Sequence, residues 1–137
     1  MYAEWTWMPI VWGAVASFVI GMIWYSRAVF GNIWMRLAGV TPDRAEAAKK
    51  HMLMSIAGGV ITSAVTAGAL WSLLMLAPAL VLVDALWLAG FAWLGFVVPV
   101  LLAPVLWEGK PFALFLLNAA HYLISFLAVA AVLFYLI

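Results

Sequence analysis

The sequence has no cysteine and very little charge, with six Lys+Arg and five Asp+Glu in 137 residues, or 8% charged. Without cysteine there can be neither disulfides nor thiolate metal sites. A net charge of +1 provides no basic surface for a phosphate backbone, so nucleic acid is excluded as a partner. Catalytic signatures are also missing: there is no GxxxxGK phosphate loop, no HExxH zinc helix and no GxSxG elbow. The two histidines, His51 and His121, fall at different depths and do not readily share a metal. No nucleophile, base and orienting group can be assembled within hydrogen-bond reach. The expectation is a non-enzyme without metal or cofactor.

What the chain has is apolar material, 70% of its residues, with a mean hydropathy of +1.22. Soluble domains carry about 45–50% apolar and about 25% charged residues. A domain of this size buries only about 70% of the surface its unfolded chain exposes, so much of this material must face lipid. Charge spacing divides the chain. Uncharged runs of 22 residues separate Glu4 from Arg27, 33 separate Lys50 from Asp84, 23 separate Asp84 from Glu108, and 27 follow Lys110. A spanning helix needs about 20 apolar residues. The expectation is an all-α membrane protein, one domain over 1–137, with four transmembrane helices near 7–26, 52–76, 80–106 and 112–137. Lipid offers no partner for unpaired backbone groups, which favours helices. The first span lacks a basic leader and exceeds the usual apolar run of a signal peptide, so it is read as retained.

All six cations (Arg27, Arg36, Arg44, Lys49, Lys50 and Lys110) lie between spans 1 and 2 or between spans 3 and 4. Four spans put both segments on one side. The positive-inside rule then makes that side cytoplasmic and both chain ends extracytoplasmic. Trp5, Trp7, Trp24, Trp34, Trp71 and Trp107 fall near the expected interfaces, where such rings collect. Residues 28–38 are too short to span. Phe30, Ile33, Trp34 and Leu37 recur at helical spacing there, which reads as a short interfacial helix. Thr41-Pro42-Asp43 reads as a capped start of the helix that leads into span 2.

Small residues recur every fourth position: Gly13, Ser17 and Gly21 in span 1, and Ser55, Gly59 and Ser63 in span 2. Such faces let helices approach closely, either within one bundle or between copies. Pro99 and Pro104 are expected to kink span 3. His121 lies nine residues into span 4, about 13–14 Å deep and near the midplane. Asn118, His121 and Ser125 share a face with Tyr122 adjoining. Thr62, Thr66 and Ser17 fall at similar depth, so a polar cluster around His121 is expected. It would either line a solute path or be a neutral histidine satisfied by neighbouring hydroxyls; a proton relay lacks a second station. Asp84, the one acid inside a span, reads as a helix-start carboxylate or an outer-mouth cation site.

The run Trp24-Tyr25-Ser26, Phe30-Gly31, Trp34-Met35 and Gly39 resembles the WYS-x3-FG-x2-WM-x3-G pattern of the domain-of-unknown-function 1761 family. Trp107-Glu108-Gly109-Lys110-Pro111-Phe112, with Asn118 and Tyr122 after it, looks like that family's second landmark. The resemblance spans most of the chain and implies a small four-helix bacterial membrane protein, with no activity attached. Gly31 and Gly39 would break the interfacial helix at each end, with Trp34 as its anchor. The leading expectation is a homo-oligomer that passes an ion or small solute between copies. The alternatives are a non-transporting scaffold and a binder of an apolar ligand, lipid or quinone, between helices.

Overall fold

The computed structural model describes residues 7–137; Glu4 and Trp5 lie outside the described residues. Within them the chain is helical, with no strand: α1 (Met8–Trp24), α2 (Gly31–Ala38), α3 (Pro42–Ala48), α4 (Met52–Leu76), α5 (Leu82–Ala92), α6 (Val98–Glu108) and α7 (Phe112–Leu136). A 3-10 turn at Lys49–His51 carries α3 into α4, and a π-helical stretch at Trp93–Val97 carries α5 into α6. Three rods are long and apolar enough to cross a membrane: Pro42–Leu76, Leu82–Glu108 and Phe112–Leu136. The apolar α1 is shorter, at 17 residues, or about 26 Å. It stops two residues before the expected span does because the backbone turns out of helix at Tyr25.

That turn is built by the aromatic and glycine motif. The Gly31 N–H donates to the Ser26 carbonyl at 2.8 Å, and the Phe30 N–H to the Trp24 carbonyl at 3.0 Å. A Cβ on Gly31 would lie 2.5 Å from the Tyr25 carbonyl oxygen, so only glycine lets the chain fold back so tightly. Gly39, at φ +73°, ends α2 in the left-handed conformation, and the next N–H, of Val40, returns to the Met35 carbonyl at 2.8 Å. The interfacial helix is therefore Gly31–Ala38, with residues 28–30 in the turn. Thr41 then caps α3 by accepting from the Arg44 N–H at 3.3 Å.

Helix α7 is central, packed on α1 along one side and on α5 along another, while α4 lies mainly on α1. The α1–α7 seam is antiparallel and steps by about four residues on each helix. Gly13 meets Val129 and Leu133, Gly21 meets His121, Ser17 bonds Ser125, and Tyr25 bonds Asn118. Of the two arrangements open to it, within one bundle or between copies, the small-residue face of α1 is covered by the chain's own α7. On α4, Ser63 and Ala67 are buried, Gly59 abuts the Phe18 ring, and Ser55 is exposed. Because α1 ends where it meets the first half of α7, Arg27 and Lys110 lie at the same end of the bundle.

The apolar core sits at the other end. Ala67, Leu70 and Leu74 of α4, Ala85, Ala89 and Ala92 of α5, and Val129, Ala130 and Leu133 of α7 form one buried cluster. Alanines spaced four and three residues apart on α5, Ala85, Ala89 and Ala92, let it approach α7 closely. Toward the cationic end α4 is mostly exposed from Met52 to Thr62. Of the two prolines in the third rod, Pro99 follows the π-helical stretch and Pro104 lies within α6. Proline has no N–H to return and crowds the carbonyl four residues before it. The turn ahead of Pro99 widens accordingly, and the Val98 N–H reaches back five residues to Trp93. The loosened turn lets Trp93 Nε1–H donate to the Ala119 carbonyl at 2.9 Å.

Candidate functional site

His121 is buried, only 8% exposed, where α7 passes the last turn of α1. Aromatic rings surround it. Tyr122 lies 4.7 Å away between centroids, Tyr25 5.0 Å and Trp24 6.2 Å. Phe30 packs on Trp24 at 4.6 Å, and Trp34 sets its edge against Tyr25 at 5.9 Å. The aromatic and glycine motif that builds the turn after α1, the elbow, therefore also supplies the rings around the histidine.

The imidazole is not satisfied as expected. Both His121 nitrogens, and the Trp24 indole nitrogen, are buried without a hydrogen-bond partner among the described residues. The hydroxyls expected to serve them are occupied elsewhere. Ser17 and Ser125 bond each other at 2.9 Å, and Thr62 Oγ1–H donates to the Gly59 carbonyl at 3.1 Å. Small hydroxyl residues readily bond backbone locally, and that local option outcompetes a longer reach to the ring. His121 Nε2 instead faces Gly21, 3.4 Å from where a Cβ would stand.

A crevice of about 530 Å³ opens between α1, α4 and α7. Its walls hold Ser17, Gly21, Tyr25, Ser55, Gly59, Thr62, Ser63, Thr66, His121, Tyr122 and Ser125, with Phe18, Met22, Met52, Ile56 and Phe126. No charged side chain is among them. The small residues of α4 thus border open space here. A second cavity, about 580 Å³, lies at the elbow between Tyr25, Arg27, Gly31, Trp34, Met35, Leu101, Asn118 and Tyr122. Tyr25 and Tyr122 belong to both.

Asn118 does not join the His121 group. It faces the elbow cavity and accepts a 2.7 Å hydrogen bond from the Tyr25 hydroxyl. The expected continuous face of Asn118, His121 and Ser125 is divided in this way, and that face packs against α1. Asp84 stands apart, at the far end. Its Oδ2 accepts from the N–H groups of Leu80 at 3.0 Å and Val81 at 3.2 Å, which is the geometry of a helix start. Among the described residues no group of three His, Cys, Asp or Glu is placed to hold a metal.

The model of the family described as "Protein of unknown function (DUF1761)" matches residues 8–134, nearly the whole chain. The protein belongs to the DUF1761 family. No curated protein and no solved structure matches it. In this DUF1761 chain the two landmark motifs meet in space: Trp24, Tyr25 and Trp34 from the first pack around Asn118, His121 and Tyr122, which follow the second. Antiparallel pairing of the four-residue ladders on spans 1 and 4 was the signal that could have revealed this meeting. The contribution of Trp93 depends on the π-turn and leaves no mark at helical spacing.

Proposed function

We propose that this protein crosses a bacterial inner membrane four times, with its cationic end cytoplasmic and both termini outside, and binds a small lipid-soluble molecule in the α1–α4–α7 crevice. The role is binding, without catalysis. One observation carries the reading: a nine-tenths buried imidazole with both nitrogens unpartnered, at the wall of an uncharged crevice among apolar helices. Buried polar groups ordinarily have partners, and an orphaned one calls for an explanation. Sites for small ligands are mostly apolar clefts with a few placed polar groups. The four-span reading is supported by α1 running antiparallel along α7 and by the cations gathering at one end.

An oligomeric channel along Asn118, His121 and Ser125 has less support, because α1 of the same chain covers that face. Self-association through other faces is compatible with the binding reading.

The test is the complement of apolar molecules that copurify in mild detergent. Wild type is expected to carry a lipid-soluble species, depleted in Thr62→Phe, whose ring fills the crevice. Equal complements in both would overturn the reading. So would ion flux into liposomes above that of empty vesicles, abolished by His121→Ala, which would restore the channel.

A further inference from the structure

We infer that the crevice takes a ligand with an uncharged, flat, hydrogen-bonding head and an apolar tail, the chemistry of an isoprenoid quinone, and not a phosphate- or carboxylate-headed lipid. This rests on the binding reading above and adds the ligand class. Charge is the first ground. None of the crevice residues is ionic, and Arg27 borders the other cavity, beyond Tyr25 and Tyr122. A carboxylate or phosphate in the crevice would lose its water and gain no counter-charge, a heavy penalty.

Hydrogen-bond chemistry is the second. A neutral imidazole offers one N–H and one lone pair. A ring carbonyl accepts the first, and the hydroxyl of a reduced ring can donate to the second. Shape is the third. The rings of Tyr122, Tyr25 and Trp24 stand 4.7–6.2 Å from the imidazole, distances at which aromatic planes make offset or edge contacts. A flat head extends that arrangement; a tetrahedral one does not. Beyond the rings Phe18, Met22, Ile56 and Phe126 give the crevice apolar wall against which a tail can lie. Gly21 stands beside the ring: a methyl there would sit 3.4 Å from His121 Nε2, at ordinary contact distance, filling the place from which a ligand atom would bond the nitrogen without disturbing the fold.

The experiment measures retention of three probes with the same tail by purified protein in nanodiscs: a decyl benzoquinone, decylbenzene and decanoate. Wild type is expected to bind the quinone most tightly and decanoate least. Gly21→Ala should weaken the quinone about fivefold, the worth of one net hydrogen bond, and leave decylbenzene, which has no hydrogen-bonding group, unchanged. Arg27→Gln should alter neither. Helical circular dichroism verifies that each variant is folded, and His121→Leu repeats the test should Gly21→Ala perturb the helix. Decanoate binding as tightly as the quinone, or quinone affinity unmoved by Gly21→Ala and His121→Leu, overturns the ligand class. If Thr62→Phe removes all three probes equally while wild type does not distinguish them, the crevice binds but this assignment fails. If wild type retains no probe better than Thr62→Phe, the binding reading itself fails.

Discussion

Replacing Gly31 by alanine tests the elbow directly. The added Cβ would stand 2.5 Å from the Tyr25 carbonyl oxygen and 2.8 Å from both the carbonyl carbon and oxygen of Ser26. Carbon–oxygen contacts ordinarily settle near 3.3–3.6 Å, so roughly 1 Å must come from moving backbone, since no flexible side chain is in the way. Overpacking of this kind costs about 1–3 kcal/mol. Lifting α2 also strains the Gly31 N–H bond to Ser26, about 1 kcal/mol more. The sum is about 3 kcal/mol. Gly39→Ala is the matched control: its Cβ meets nothing within 4 Å, but its φ of +73° is left-handed, costing about 1–2 kcal/mol. Thermal unfolding of both variants in one detergent, followed by helical circular dichroism, gives the comparison. At roughly 3–5 °C per kcal/mol for a chain of this size, Gly31→Ala should unfold about 10 °C below wild type and Gly39→Ala about 5 °C below. Gly31→Ala matching wild type, or proving milder than Gly39→Ala, would refute the view that backbone contact at the elbow demands glycine.

Ser17→Ala should cost about 1 kcal/mol because it strands the buried Ser125 hydroxyl; the double Ser17→Ala/Ser125→Ala variant should be no less stable, and additive losses by thermal unfolding would contradict this. Asp84→Ala should destabilise by about 1 kcal/mol through loss of the Leu80 and Val81 contacts, with stability unaffected by added divalent cations; cation-dependent unfolding of wild type alone would indicate an ion site instead. Because the chain has no cysteine, single introduced cysteines report topology: Pro78→Cys and Ile137→Cys should react with an impermeant maleimide on intact spheroplasts, and His51→Cys and Lys110→Cys only after permeabilisation. Any other division of the four sites rejects the four-span topology.

Much of the fold was legible because lipid solvent imposes simple rules. Uncharged runs of spanning length, a Thr-Pro-Asp helix start and glycines flanking a short amphipathic segment each have one mechanical meaning, and the helices lie close to where that meaning put them. The length of α1 was less legible, because nothing in its composition marks Tyr25 as the turn; the stop depends on Gly31, six residues later, accepting a contact no Cβ survives. The polar residues were found, but not their pairing. Depth counting put Ser17, Thr62 and His121 on one level, yet serine and threonine hydroxyls reach only short distances and bond what is nearest. A histidine with aromatic neighbours from another helix needs the inter-helix register, which a single chain's spacing supplies only once α1 and α7 are known to pair.

The two ends of the bundle differ in a way that bears on access. At the end away from the cations, alanines and leucines of α4, α5 and α7 interlock, with Ala67, Ala85, Ala89, Val129 and Leu133 fully or nearly fully buried. At the cationic end α1 stops short, α2 and α6 pack on α7 with Tyr25 bonded to Asn118, and α4 exposes its own face from Met52 onward. The elbow turns the chain so that the Tyr25 ring lies against His121 with Trp34 set on its other side. A ligand entering the crevice from lipid would therefore do so through the half of the bilayer that adjoins the cationic loops, and the tyrosines shared by the two cavities would stand between it and the polar interface on that side.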